Sequence, residues 1–94
     1  MIEFKNNEDG YFMWLMAHPN GFVLNVRFEA DPEYVVLHRA SCGTISSDKL
    51  PPGAYTSRKF RKWCAEKVDD LRPAAMLEGR EDGSFSKHCG ICNK

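Results

Sequence analysis

The chain has no apolar run approaching the roughly 20 residues needed to span a bilayer. Its longest, from Tyr11 to Ala17, is far too short, so no membrane partner is expected. It also has no excess of charge of either sign. Thirteen Lys and Arg face 13 Asp and Glu, for a formal net charge of zero. That excludes a histone-like protein held to nucleic acid by bulk charge, and equally a polyacidic tail. No leader pattern opens the chain, because Glu3 falls early and no apolar core follows it. A cytoplasmic location is the expectation. There is no phosphate-binding P-loop and no dinucleotide fingerprint. Repeats and low-complexity segments are absent as well, and nothing marks an internal boundary. Ninety-four residues are too few for two cores, so residues 1–94 are expected to form a single domain.

Against these absences, apolar residues make up 43% of the chain, and six Phe, three Tyr and two Trp are generous for its length. A real core is therefore expected. Asp9 is a candidate cap for a short N-terminal helix over residues 8–18, which carries Tyr11, Trp14, Leu15 and His18 at helical spacing. His18-Pro19-Asn20-Gly21 ends it. Phe22, Leu24, Val26 and Phe28 alternate with Val23, Asn25 and Arg27, which reads as a half-buried strand. Tyr34 to His38 reads as a second strand, antiparallel to the first across a short loop.

Thr56 or Ser57 is placed to cap the main helix, running to about Leu71. Its inward stripe is Phe60, Trp63 or Cys64, Val68 and Leu71. Residues 73–77 add one more turn, ending at Gly79. The expected fold is α+β: an antiparallel sheet of two to three strands packed on one main helix, with a short N-terminal helix and a zinc clip. Phe22, Leu24, Val26, Val35, Leu37, Phe60, Cys64, Val68 and Leu71 are expected to supply most of the core.

Three groups of residues carry chemistry. The first is a candidate zinc site. Cys89 and Cys92 have a two-residue spacing that lets both thiolates reach one ion from a tight turn. His38 and Cys42, at the end of the second strand, complete a set of three sulfurs and one nitrogen. His88 competes with His38 for the nitrogen position. The remaining cysteine, Cys64, reads as a buried apolar residue.

The second is a charge pattern. Arg58, Lys59, Arg61 and Lys62 open the expected main helix, whereas Glu66, Asp69 and Asp70 lie further along. The macrodipole favours the reverse order by about 0.3–1 kcal/mol per charge. A bound anion at the helix start would account for it, held by those cations, by backbone amides and by the hydroxyls of Tyr55, Thr56 and Ser57. The alternative is a solvated helix face. The third is Arg39, which leaves the same turn as His38 and suits a phosphate or a guanine edge, or pairs with a nearby acid.

Together these residues point to a small nucleic-acid-binding module with structural zinc. A protein-interaction or regulatory module, with a protein partner or a homodimer, is the first alternative. A metal-dependent nuclease centred on His38 is the second. Catalysis is the less favoured class. Ser41, Ser46, Ser47 and Cys42 beside His38 are too common a mixture to mark a hydrolase.

Several segments together also resemble a known group. These are Trp14-Leu15, Pro19 to Asn25, Leu37 to Cys42, Gly53 to Thr56, and the terminal Cys89 and Cys92. They resemble a family of small bacterial proteins and domains of unknown function, some of which occur beside restriction or other defence genes. The resemblance implies a bacterial, nucleic-acid-related setting and assigns no residue roles.

Overall fold

The structure is a computed structural model, and it describes residues 1–47 and 50–91. Strand β1 spans Ile2–Phe4 and helix α1 spans Glu8–Ala17. Asn7, rather than Asp9, caps α1: its Oδ1 accepts from the Gly10 amide at 2.9 Å. Glu8 and Asp9 then occupy the first turn, where the helix dipole favours acids. The His18 amide closes the last turn on the Trp14 carbonyl. Strands β2 (Phe22–Arg27) and β3 (Val35–Arg39) form the expected antiparallel hairpin, with Val23 opposite His38 and Val26 opposite Val35.

The main helix expected over residues 56–71 is not there. Phe60–Ala65 is a strand, β4, lying between β1 and β2 and antiparallel to both. Val68–Leu71 is a short 3-10 turn leading into helix α2 (Arg72–Leu77), where Pro73 takes an early position that tolerates its missing N–H. The chain leaves α2 through Gly79, whose φ of 107° a side chain would disfavour. Lys87–His88 forms β5, parallel to β3. The sheet is therefore five-stranded and mixed, in the order β1-β4-β2-β3-β5, instead of two- or three-stranded and antiparallel. It is accompanied by two short helices, and no long one lies among the described residues. Thr44 and Ile45 belong to a 3-10 turn.

The strand forms where a helix was expected for a physical reason. Both faces of β4 are covered. Cys64 packs with Tyr11, Trp14, Leu15 and Val23 on the α1 side, whereas Ala65 and Trp63 pack with Leu24, Leu71 and Ala74 on the α2 side. A strand buried on two faces loses the polar-apolar alternation that marks a half-exposed one. Phe60 and Cys64 are then four apart by coincidence, imitating a helical stripe. The expected core is split between the two layers. Leu24, Val26, Val35, Leu37 and Leu71, with Phe22 and Val68 against them, lie on the α2 side. Cys64 lies on the α1 side, and Phe60 is half-buried beside Tyr34.

Two cations sit inside this sandwich. Lys62 is 1% exposed, and its Nζ donates to Asn25 Oδ1 at 2.8 Å and to the Tyr55 carbonyl at 2.7 Å. Burial drives its pKa down to about 7, against a partial opposing pull from Glu8. An unfolded lysine keeps its proton to about pH 10.4. Above pH 7 the unfolded chain thus binds more protons at this position than the folded one, so stability rises with pH. Between pH 7 and 8.5 the parent is expected to gain about 2 kcal/mol relative to Lys62→Met. Urea unfolding of both proteins at the two pH values measures this. A constant difference between them would show that the folded lysine keeps an ordinary pKa.

Candidate metal centre

Three of the four residues expected to bind metal converge. Strand β3 carries His38 on the α1 side of the sheet, in register with Val23. The chain then turns sharply. The Cys42 amide donates to the Arg39 carbonyl at 3.0 Å, and Ser46 Oγ donates to the Cys42 carbonyl at 2.9 Å. This turn folds the Cys42 side chain back beneath the end of β3, where it is 3% exposed. Cys89 follows β5, and its amide donates to the Leu37 carbonyl at 2.8 Å, which seats it next to His38. The candidate ligand atoms of His38, Cys42 and Cys89 all lie within 4.8 Å of one another. The two sulfurs are 4.0 Å apart, and Thr44 Oγ1 is 3.0 Å from the Cys42 sulfur. Cys92 lies outside the described residues.

The His38 Nδ1 is buried without a hydrogen-bond partner among the described residues. A buried nitrogen in that position ordinarily costs about 1–3 kcal/mol unless something binds it. Burial, reinforced by the Lys62 charge, holds the imidazole pKa down at about 4. The ring is therefore neutral at pH 7 and keeps the lone pair that a metal ligand needs. Soft sulfur and imidazole nitrogen gathered in a closed space suit a metal ion, and the three residues form a group able to hold one. Of the two histidines expected to compete for the nitrogen position, His38 belongs to this group. His88 is exposed and rests its ring edge-on against Phe85. Cys64 is a buried apolar contact beneath α1, with its thiol pKa pushed up to about 12 by burial.

The residues expected to hold phosphate do not share a surface. No helix begins at Ser57, so there is no dipole end or fan of free amides to meet an anion. Arg58 and Lys59 are exposed, and Arg58 Nε donates to the Pro52 carbonyl at 3.1 Å. Arg61 projects to the α2 side of the sheet, where it is ion-paired with Glu3 and Glu78. Lys62 points into the α1 side. Tyr55 is buried and donates its hydroxyl to the Ser47 carbonyl at 2.8 Å. Thr56 is fully buried and donates to Glu8 Oε1 at 2.7 Å, which ties the 50–57 loop to the start of α1. Ser57 is half-buried, and Arg39 lies exposed at the end of β3 with its guanidinium 5.8 Å from the Phe22 ring centroid.

The nearest candidate ligands to His38 are the Cys42 and Cys89 thiols. Sequence reasoning missed the structural importance of Glu78 and Lys62. Neither carries a local signal, because each is defined by distant partners. No helix among the described residues is long and apolar enough to cross a membrane. Compared with protein-family models, with curated proteins and with solved structures, the chain finds no match.

Proposed function

We propose that this chain is a small zinc-binding module in which one ion ties the turn after β3 to the C-terminal segment. His38, Cys42 and Cys89 are three of the ligands, and Cys92 is the fourth. The observation that carries the reading is the buried convergence of His38, Cys42 and Cys89, with an unpartnered imidazole nitrogen among them. Zinc–sulfur bonds of about 2.3 Å in a tetrahedron put two sulfur ligands about 3.8 Å apart. The Cys42 and Cys89 sulfurs, at 4.0 Å, need almost no movement to reach that separation. Four protein ligands leave no open position for water or substrate, so the role is structural. When bound, the ion supplies a cross-link between segments 47 residues apart in sequence. The protein's own contribution is to hold the imidazole neutral, aim the thiols inward and exclude water. The phosphate-holding role expected of Arg58, Lys59, Arg61 and Lys62 has no common surface to support it and forms no part of this reading.

Metal analysis of protein purified without chelator tests it. About one zinc per chain is expected. Cys89→Ser and His38→Ala should each lose it, whereas Cys64→Ser should retain it. Cobalt substitution of the parent should give a thiolate-to-metal charge-transfer band. Protein that carries no zinc and takes up none on titration would sink the proposal.

A further inference from the structure

Two buried thiols in contact can be joined by oxidation as well as by a metal. The Cys42 and Cys89 sulfurs are 4.0 Å apart, close to van der Waals contact. A disulfide needs a separation of about 2.05 Å, so the sulfurs must approach by about 2 Å. The segment carrying Cys89 can supply that movement. It lies on β3 through the two exposed residues of β5, the Ser86 bonds to Val35 and the Cys89 amide bond to Leu37, and is followed by exposed Gly90 and Ile91. Cys42, by contrast, is fixed by the 3-10 turn and by the Ser46 hydrogen bond to its carbonyl. The third thiol described, Cys64, is fully buried in the layer beneath α1 and is not a member of the convergent group.

We infer that Cys42 and Cys89 form a peroxide-driven disulfide that replaces the metal as the clip between β3 and the C-terminal segment. The Cys89 thiolate attacks a hydroperoxide oxygen, forming a sulfenic acid and releasing the alcohol, or water when the oxidant is hydrogen peroxide. The Cys42 thiolate then attacks that sulfur and displaces its hydroxyl as water. In balance, two thiolates, one hydroperoxide and two protons give one disulfide, one alcohol and one water. Both sulfurs are oxidised and the peroxide is reduced. A sulfur committed to a disulfide is no longer a thiolate ligand, so an ion held there is released. The covalent bond keeps the C-terminal segment docked after the ion leaves. Only this last exchange rests on the zinc reading; the disulfide rests on the sulfur geometry alone.

The test treats two samples of the full chain with hydrogen peroxide, one zinc-loaded and one stripped by chelator under reductant. Disulfides are mapped by peptide mass, and freed zinc is followed with a chromogenic chelator. A linked peptide joining the segments of Cys42 and Cys89 is expected in both samples. It should also form in Cys92→Ser and should be undone by dithiothreitol. In the loaded sample, one zinc should be released for each disulfide formed. Thiols that stay free, or a bond joining only Cys89 to Cys92, overturn the inference. Zinc that remains bound while the disulfide forms overturns the exchange. A first sample that takes up no zinc counts against the zinc reading, and the linked peptide in the stripped sample then decides the disulfide by itself.

Discussion

Removing the proposed zinc ion from the reduced protein is expected to lower its melting temperature by on the order of 20 °C. An ion present at about a thousand times its dissociation constant stabilises the folded state by about 4 kcal/mol. One kcal/mol shifts a domain of this size by about 4–8 °C. The effect should be large because the ion would join the C-terminal segment to the turn after β3. Strand β5 is two residues long and, among the described residues, pairs with β3 alone. Among the described residues the Cys89 amide also donates to the Leu37 carbonyl at 2.8 Å. Ser86 Oγ accepts from the Val35 amide at 2.7 Å, and the Ser86 amide donates to the Val35 carbonyl at 2.9 Å. Losing the ion also leaves the His38 Nδ1 buried and unpaired. Hydrogen exchange should therefore show residues 86–91 opening first, ahead of the β2–β4 pairing at the centre of the sheet. Calorimetry with and without chelator gives the shift. A melting temperature that moves by only a degree or two would mean that the ion, if bound, contributes nothing to the fold.

The second large effect is expected at Glu78, which lies on the opposite side of the sheet. Its carboxylate is 3% exposed and accepts from Arg61 Nη1 at 2.9 Å and from Trp63 Nε1 at 3.0 Å, with Arg61 Nη2 on its other oxygen. Arg61 also donates to Glu3 Oε2 at 2.7 Å and to the Phe28 carbonyl at 2.8 Å. Every donor in this network has a partner, and the guanidinium is 6% exposed. Glu78→Ala removes the bidentate acceptor but leaves the buried cation, which costs about 3–5 kcal/mol. Exchanging both members for apolar residues of similar volume, Arg61→Met with Glu78→Leu, should restore most of that loss, because no buried charge is then left unpaired. Urea unfolding of Arg61→Met, Glu78→Leu and the double variant measures the coupling. If the double variant lost as much as the sum of the singles, the ion pair would not be the cause.

These expected effects divide the chain by how local their causes are. The hairpin of β2 and β3 could be read from alternation at Phe22, Leu24 and Val26 and from the β-branched run before His38. Helix α1 could be read from Tyr11, Trp14 and Leu15 ahead of a proline stop. The candidate ligands His38, Cys42 and Cys89 were legible because few residue types can bind a metal: His38 and Cys42 are four apart, and Cys89 stands in a two-residue-spaced cysteine pair. Residues 56–65 were not legible. A run such as Ser57-Arg58-Lys59-Phe60-Arg61-Lys62-Trp63 carries helical and strand patterns at once. The choice went to the strand, where β4 pairs with both β1 and β2 and is covered on both faces.

The charge of Arg61 and Lys62 was plain from the chain, but where that charge sits was not. An exposed cation and a buried one are the same letter. What separates them here is Glu3, 58 residues before Arg61, Glu78, 17 residues after it, and Asn25, 37 residues before Lys62. Composition and spacing thus sufficed for the candidate ligand types and for the elements whose pattern is complete within a few residues. The centre of the sheet, the burial of its two cations and the approach of Cys89 to His38 were settled by assembly, because each depends on desolvation and pairing between segments remote along the chain.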